Sequence, residues 1–318
     1  MKAFLRVVAV VSLLALVAGV VFYMRPMWVS DQMISLHLWR EGVKSEYVEA
    51  GGYRLHYFEA KPKQDEGQPL VLVHGLGARA EDWGRMMPAL AARGFHVYAP
   101  DLPGYGRSSK PKDASYSIAM EEEAVAAFMR AMHLESADVG GWSMGGWVSM
   151  KLALDHPTLV ERLVIYDSAG IYFPADFGSQ LFVPSDEAGL AGLMKVLSPQ
   201  PRTFPAFVAR DILRRMADNG WVVTRSVAAM ANGRDLLDFR LHEMKQPLLI
   251  VWGSKDDLIP LEAGKKIHSL VSDSVLNVVE GCGHLAPSEC AKPVIEATDA
   301  FLKAEPAMQG GEKTIPGA

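Results

Sequence analysis

Six short stretches of the chain are mostly apolar: Leu70–Val73, Phe95–Ala99, Ala137–Trp142, Leu163–Tyr166, Leu248–Trp252 and Val275–Val279. Between them lie stretches with helical spacing: Glu81–Arg93, Ser117–His133, Met144–His156 and Glu262–Leu270, with a last one near Pro287–Lys303. A strand that is apolar along its whole length has no face to offer to water, so it must be covered on both sides. Such strands alternating with helices predict an α/β fold, a parallel sheet with helices on both faces. Ahead of them, Tyr47–Glu49 and Tyr53–Phe58 flank Gly51-Gly52, the pattern of a hairpin. Lys61–Pro69 reads as a polar loop.

The alternation fails between Ala169 and Lys245. This stretch carries no strand pattern but has helical spacing around Ala188–Leu197 and Phe204–Met216. It is too long for a loop in a compact domain, which predicts an inserted helical cap over 169–245. The sheet-forming core then occupies 45–168 and 246–304. Residues 305–318, polar and containing Gly310-Gly311, are expected to be a flexible tail.

Residues 1–30 form a separate unit. Lys2 and Arg6 precede an apolar run from Val7 to Met24, broken only by Ser12 and closed by Arg25. That length, roughly 18 residues, meets the lower limit for a transmembrane helix. The alternative is a cleaved signal with Val17-Ala18-Gly19 as its processing site, which would release a secreted protein, but the apolar residues continue beyond that point. An anchor is therefore expected, and its basic flank places the bulk of the chain on the outer side. A helix through Trp28 and Trp39, eleven residues apart, presents both on one face, suited either to a membrane interface or to packing on the domain. The net charge of −5 gives no reason to expect a nucleic-acid surface. Two cysteines, Cys282 and Cys290, can build neither a zinc ribbon nor a C-x-x-C redox centre, and both are read as free.

Chemistry concentrates at the strand ends. Gly141-Trp142-Ser143-Met144-Gly145 lies between a predicted strand and a predicted helix. A serine on so sharp a turn is lifted above the carboxyl edge of the sheet, and the glycines let strand and helix approach. The Met144 N–H then sits at a helix N-terminus, where a developing oxyanion is stabilised. Leu76, in His74-Gly75-Leu76-Gly77, is a second candidate donor, whereas His74 itself is read as structural. Serine needs a base to become nucleophilic. His284 in Gly281-Cys282-Gly283-His284 follows the last apolar strand and is the best placed of nine histidines. An acid is available at Asp256 or at Asp257, and spacing alone does not choose between them. Asp101, in the tight loop Asp101-Leu102-Pro103-Gly104-Tyr105-Gly106-Arg107-Ser108, and Asp167 are read as structural.

Taken together, H-G-L-G, D-L-P-G-Y-G-R-S, G-W-S-M-G-G, V-W-G-S-K-D and G-C-G-H resemble the α/β-hydrolase family, in the family's order and across residues 70 to 300. Within it the chain most resembles membrane-anchored monoacylglycerol lipases and serine carboxylesterases. The resemblance implies a mostly parallel eight-stranded sheet, a cap between the sixth strand and the acid-bearing strand, and no cofactor or metal. It implies a Ser143–His284 pair with Leu76 and Met144 as the oxyanion hole. The family pattern W-G-x-x-D-x-x-x-P fits Trp252, Gly253, Asp256 and Pro260, which selects Asp256 and leaves Asp257 a solvated charge. One departure is that a proline of the G-H-x-x-x-x-E-x-P pattern arrives two positions late, at Pro293, so the start of the final helix is expected to differ.

The expected activity is cleavage of carboxylic esters through an acyl-enzyme, on a monoacylglycerol or a similar lipid-like ester at a bilayer. Phe173, Phe177, Leu181, Phe182, Phe204 and Phe207 of the insertion are candidates for the acyl-chain lining. A carbon–carbon bond hydrolase or a lactonase could use the same three residues, but members of the first class commonly carry a Trp soon after the histidine, where this chain reads Leu285-Ala286-Pro287. Dehalogenase and epoxide hydrolase chemistry would need a carboxylate at position 143. A non-catalytic binding protein on the same fold is the remaining alternative.

Overall fold

A computed structural model of the chain describes residues 1–63, 67–174 and 178–317. In chain order the elements are α1 (Lys2–Met24), α2 (Pro26–Arg40), β1 (Lys44–Ala50), β2 (Tyr53–Ala60), β3 (Gln68–Val73), α3 (Met86–Ala91), β4 (Phe95–Pro100), α4 (Ile118–Ala131), β5 (Ala137–Trp142) and α5 (Met144–Asp155). There follow β6 (Val160–Tyr166), α6 (Ser179–Phe182), α7 (Glu187–Leu197), α8 (Ala206–Ala231), β7 (Leu248–Gly253), α9 (Leu261–Leu270), β8 (Val275–Val279), α10 (Ala286–Glu289), α11 (Ala291–Leu302) and β9 (Glu312–Ile315).

The strands form one sheet in the order β1-β2-β4-β3-β5-β6-β7-β8-β9. The β1–β2 hairpin and the β2–β4 pair are antiparallel, and all pairs from β4–β3 to β8–β9 are parallel. Alternate residues of each central strand serve opposite faces. Val71, Val73, Val139, Ile165 and Ile250 pack with α4 and α5 on one side, while Leu70, Leu72, Val164, Leu249 and Val251 pack with α3 and α11 on the other. This is why those strands read as unbroken apolar runs. The chain leaves β3 in one direction across the sheet, toward β4, and leaves β5 in the other, toward β6. The crevice at that reversal is where ligands bind in open α/β sheets.

Three expectations need correction. The tail from residue 305 is not without structure, because its residues 312–315 add β9 beside β8, giving nine strands rather than eight. The unpaired edge of β8 supplies the hydrogen-bonding groups, and the short, exposed segment that takes them carries no apolar pattern to betray a strand. The stretch 81–93 is broken, with a 3-10 turn over Ala80–Trp83 and α3 separated at Gly84 and Arg85. The final helix is likewise interrupted at Cys290, and α11 holds Pro293 in its first turn, where proline's missing N–H costs nothing.

Helix α1 has a mean hydropathy of 2.7 in its most apolar window and buries no residue against the rest of the chain. Its 23 residues span about 35 Å at 1.5 Å per residue, enough to cross a hydrocarbon core of about 30 Å. Trp28 and Trp39 on α2 are 54% and 72% exposed, so neither is packed into the domain. Arg215 of α8 and Arg79, just beyond β3, both reach Asp31 of α2, at 2.6 Å each. The Met27 N–H donates to Asp211 of α8 at 3.0 Å.

Candidate active site

Ser143 follows β5 directly and caps α5 with φ 57° and ψ −120°, a conformation that non-glycine residues rarely adopt. The neighbouring glycines make the turn possible. A Cβ on Gly145 would run into the Val73 and His74 carbonyls, and one on Gly141 into the Gly145 carbonyl. The turn aims the hydroxyl at His284, whose Nε2 lies 2.9 Å from Ser143 Oγ. On the other side of the ring, His284 Nδ1 is 2.8 Å from Asp256 Oδ2. The second carboxylate oxygen, Asp256 Oδ1, accepts from the N–H groups of Leu258 and Ile259, both at 2.9 Å. Asp256 and His284 are buried, whereas Asp257 is exposed. The two adjacent aspartates thus occupy different environments, and only Asp256 contacts the histidine.

The loop after β3 brings Leu76 to a cavity it shares with Ser143. His74 fixes this loop from within. Its Nε2 accepts from the Leu102 N–H at 3.0 Å, which leaves Nδ1 to donate to the Gly75 carbonyl at 2.8 Å. Burial lowers its pKa, in keeping with a neutral ring that both accepts and donates. Met144 opens α5, so helix geometry gives its N–H no intrahelical partner.

Asp101 and Asp167 hold loops. Asp101 contacts His56 at 2.8 Å and accepts from the N–H groups of Ala80 and Arg107. Burial opposes its ionisation, but the His56 bond, the nearby His74 and those two N–H groups outweigh it and bring the pKa to about 2. Asp167, with φ 45°, accepts from the Gly253 N–H at 2.7 Å and so secures the end of the strand that leads to Asp256. Burial, and then the charge of Asp256, push its pKa well above the usual carboxylate range.

Two cavities meet at Ser143 and share Leu76, Phe182 and Leu258. One, of about 380 Å³, runs between α5 and the end of α8 and is lined by Trp147, Ile171, Phe173, Val227 and Met230. The other, of about 490 Å³, runs under α7 past Leu190, Met194 and Phe204 to Met27 of α2 and to Arg202. Of the aromatic residues and leucine proposed from sequence, Phe173, Phe182 and Phe204 line these cavities. Leu181 packs against the core instead, and Phe207 stacks on Tyr23 at 5.3 Å and meets Phe22 edge-on. An apolar residue on a cap helix has two faces available, and composition does not say which one it uses. Phe177 lies outside the described residues.

Two contributors lie beyond what the sequence leads one to expect. The Trp142 indole N–H donates to the His284 carbonyl at 2.8 Å, so the elbow motif holds the histidine loop as well as the serine. Cys282 and Cys290, expected to be free, are joined by a disulfide that brackets His284, with their Cα atoms 6.4 Å apart. Spacing in sequence gave no hint of pairing. The turn through α10 folds the chain back on itself and brings the two residues together.

The alpha/beta hydrolase family model matches residues 70–297. A solved membrane phospholipase A, described as a bacterial virulence factor, superposes with a TM-score of 0.80 at 27% identity, covering 95% of this chain and 98% of that one. The 2-hydroxy-6-oxo-6-(2'-aminophenyl)hexa-2,4-dienoic acid hydrolase of Metapseudomonas resinovorans is 29% identical, over 80% of this chain and 90% of its own length. Lipase 1 of Psychrobacter immobilis is 28% identical, over 73% of this chain and 74% of its own. The chain is a hydrolase and belongs to the alpha/beta hydrolase family.

Proposed function

We propose that the protein cleaves lipid-like carboxylic esters at a membrane, with Ser143 as nucleophile, His284 as general base and Asp256 as the orienting acid. The observation that carries this reading is the relay from Ser143 Oγ through His284 to Asp256, at 2.9 and 2.8 Å, where two apolar cavities meet. His284 Nε2 takes the Ser143 proton as Oγ attacks the ester carbonyl carbon. The N–H groups of Leu76 and Met144 receive the charge that develops on the carbonyl oxygen. His284 then returns the proton to the departing alcohol, and water activated by the same ring hydrolyses the acyl-enzyme. Asp256 holds the tautomer and stabilises the imidazolium form.

A monoacylglycerol, or another ester with a medium-to-long acyl chain, suits the apolar linings and an anchor that keeps the domain at a bilayer. A catalytic domain on the outer side of that bilayer agrees with the basic flank at Lys2 and Arg6. It also agrees with the Cys282–Cys290 disulfide, since such bonds persist in oxidising compartments. A second reading, carbon–carbon bond hydrolysis, is favoured by the relative from Metapseudomonas resinovorans and disfavoured by Leu285-Ala286-Pro287 after the histidine.

A fluorophosphonate probe is expected to label the wild type and not Ser143→Ala. Turnover of p-nitrophenyl esters should rise from acetyl to octanoyl. No labelling would sink the serine-hydrolase reading. A steep preference for acetyl would sink the lipid one, and faster cleavage of a dienoate than of any ester would favour the second reading.

A further inference from the structure

An ester has two arms, and the two cavities at Ser143 differ in what they offer them. Among the described residues, the cavity past Trp147, Ile171, Phe173 and Met230 has no charged residue in its lining. The one that reaches Met27 carries Asp82, Arg202 and Ser288 beyond an apolar wall. Asp82 is already engaged, since its Oδ2 accepts from the Arg79 N–H at 2.9 Å. Arg202 is exposed at the rim and has no hydrogen bond or ion pair among the described residues.

The segment that carries Arg202 is held in place. Pro199, Pro201 and Pro205 restrict its backbone, and Pro199 lies so close to Gly283, the neighbour of His284, that a Cβ there would stand 2.6 Å from it. Phe207, just beyond, stacks on Tyr23 in the last turn of α1. Arg202 lines one cavity with Met27, which follows the end of α1 where an anchored helix would leave the bilayer among lipid head groups.

We infer that the substrate's acyl chain occupies the uncharged cavity, while its alcohol part lies in the other and bears an anionic group, such as a phosphodiester, that Arg202 binds. This rests on the ester-hydrolase reading above and narrows its substrate class. A guanidinium meets such an oxyanion through paired N–H donors, and a lysine offers the charge without the fork.

The test uses the full-length protein in neutral detergent, with dihexanoyl phosphatidylglycerol and neutral dihexanoylglycerol, both below their micelle concentrations. For Arg202→Gln the ratio of kcat/KM, anionic over neutral, should fall about tenfold or more, mainly through KM. Arg202→Lys should keep part of that ratio. In the wild type, added salt should raise KM for the anionic ester more than for the neutral one, a measurement that needs no variant. An unchanged ratio, or an equal loss on both esters, overturns the assignment. So does an Arg202 effect confined to anionic vesicles and independent of the substrate's own charge, which would mark a bilayer contact instead. A wild type that cleaves neither ester would instead overturn the ester-hydrolase reading itself.

Discussion

Replacing Asp256 by Asn tests the site most sharply, because it exchanges one carboxylate oxygen for an NH2 group and leaves the shape intact. Asp256 Oδ1 accepts two backbone N–H groups, and Oδ2 faces His284 Nδ1. An asparagine that keeps its oxygen on the Leu258 and Ile259 N–H groups must turn its NH2 toward Nδ1. The ring then accepts there and carries its proton on Nε2, 2.9 Å from Ser143 Oγ, where it cannot act as a base. The flipped amide would instead set its NH2 against two N–H donors and leave all three without an acceptor. The flip is therefore disfavoured although it would keep the productive tautomer, and the first arrangement predicts a loss in kcat of about 10⁴-fold, the scale of a wrong tautomer, equivalent to about 5 kcal/mol of barrier. Asp257→Asn, on an exposed side chain, should change little. The assay is steady-state turnover of p-nitrophenyl octanoate from pH 6 to 9, with circular dichroism as a check on folding. A folded Asp256→Asn enzyme within tenfold of wild type, or a larger loss from Asp257→Asn, would refute the argument.

Asp167→Asn should remain within about threefold of wild type with an unaltered pH profile, since an amide oxygen can accept the Gly253 N–H as well as the carboxyl does. A collapse in kcat would mean that Asp167, not Asp256, serves the histidine. Asp138 is fully buried, and its pKa is raised to about 7, first by burial and then by Glu161. Its folded pKa exceeds the unfolded value, so the stability it contributes is complete below about pH 4 and is lost as pH rises through 7, by at most about 4 kcal/mol. Asp138→Asn should therefore gain in melting temperature over wild type progressively from pH 4 to 8, and a gain independent of pH would count against this. Opening the Cys282–Cys290 loop in a Cys282→Ser/Cys290→Ser variant should cost about 2.5 kcal/mol by chain entropy, read by urea unfolding. An unchanged midpoint would mean that the α10 turn holds without the bond.

Much of the fold could be read directly. Doubly buried strands advertise themselves as apolar runs, so β5 and β8 appear in the structure at the predicted residues, and β3, β4, β6 and β7 differ only at their ends. The cap was legible only as a gap in that alternation. The first helical turns after β3 were not legible in detail, because an interruption at Gly84 and Arg85 leaves the apolar spacing almost unchanged.

Features that depend on neighbours along the chain are legible in the amino-acid order. A strand followed by G-x-S-x-G and a helix requires an elbow, and an apolar run of the length of α1 permits a bilayer crossing. Features that depend on neighbours through space emerge only once the chain is folded. Residue spacing left Asp256 and Asp257 equivalent, and the family pattern picked one by analogy. The fold separates them physically, because the turn after β7 buries one carboxylate against His284 and leaves the other in water. The pairing of Cys282 with Cys290, the ninth strand and the faces that Phe173, Phe182, Phe204 and Phe207 present are likewise settled by contacts between distant segments. Periodicity records that a residue is to be buried, but it does not record against what.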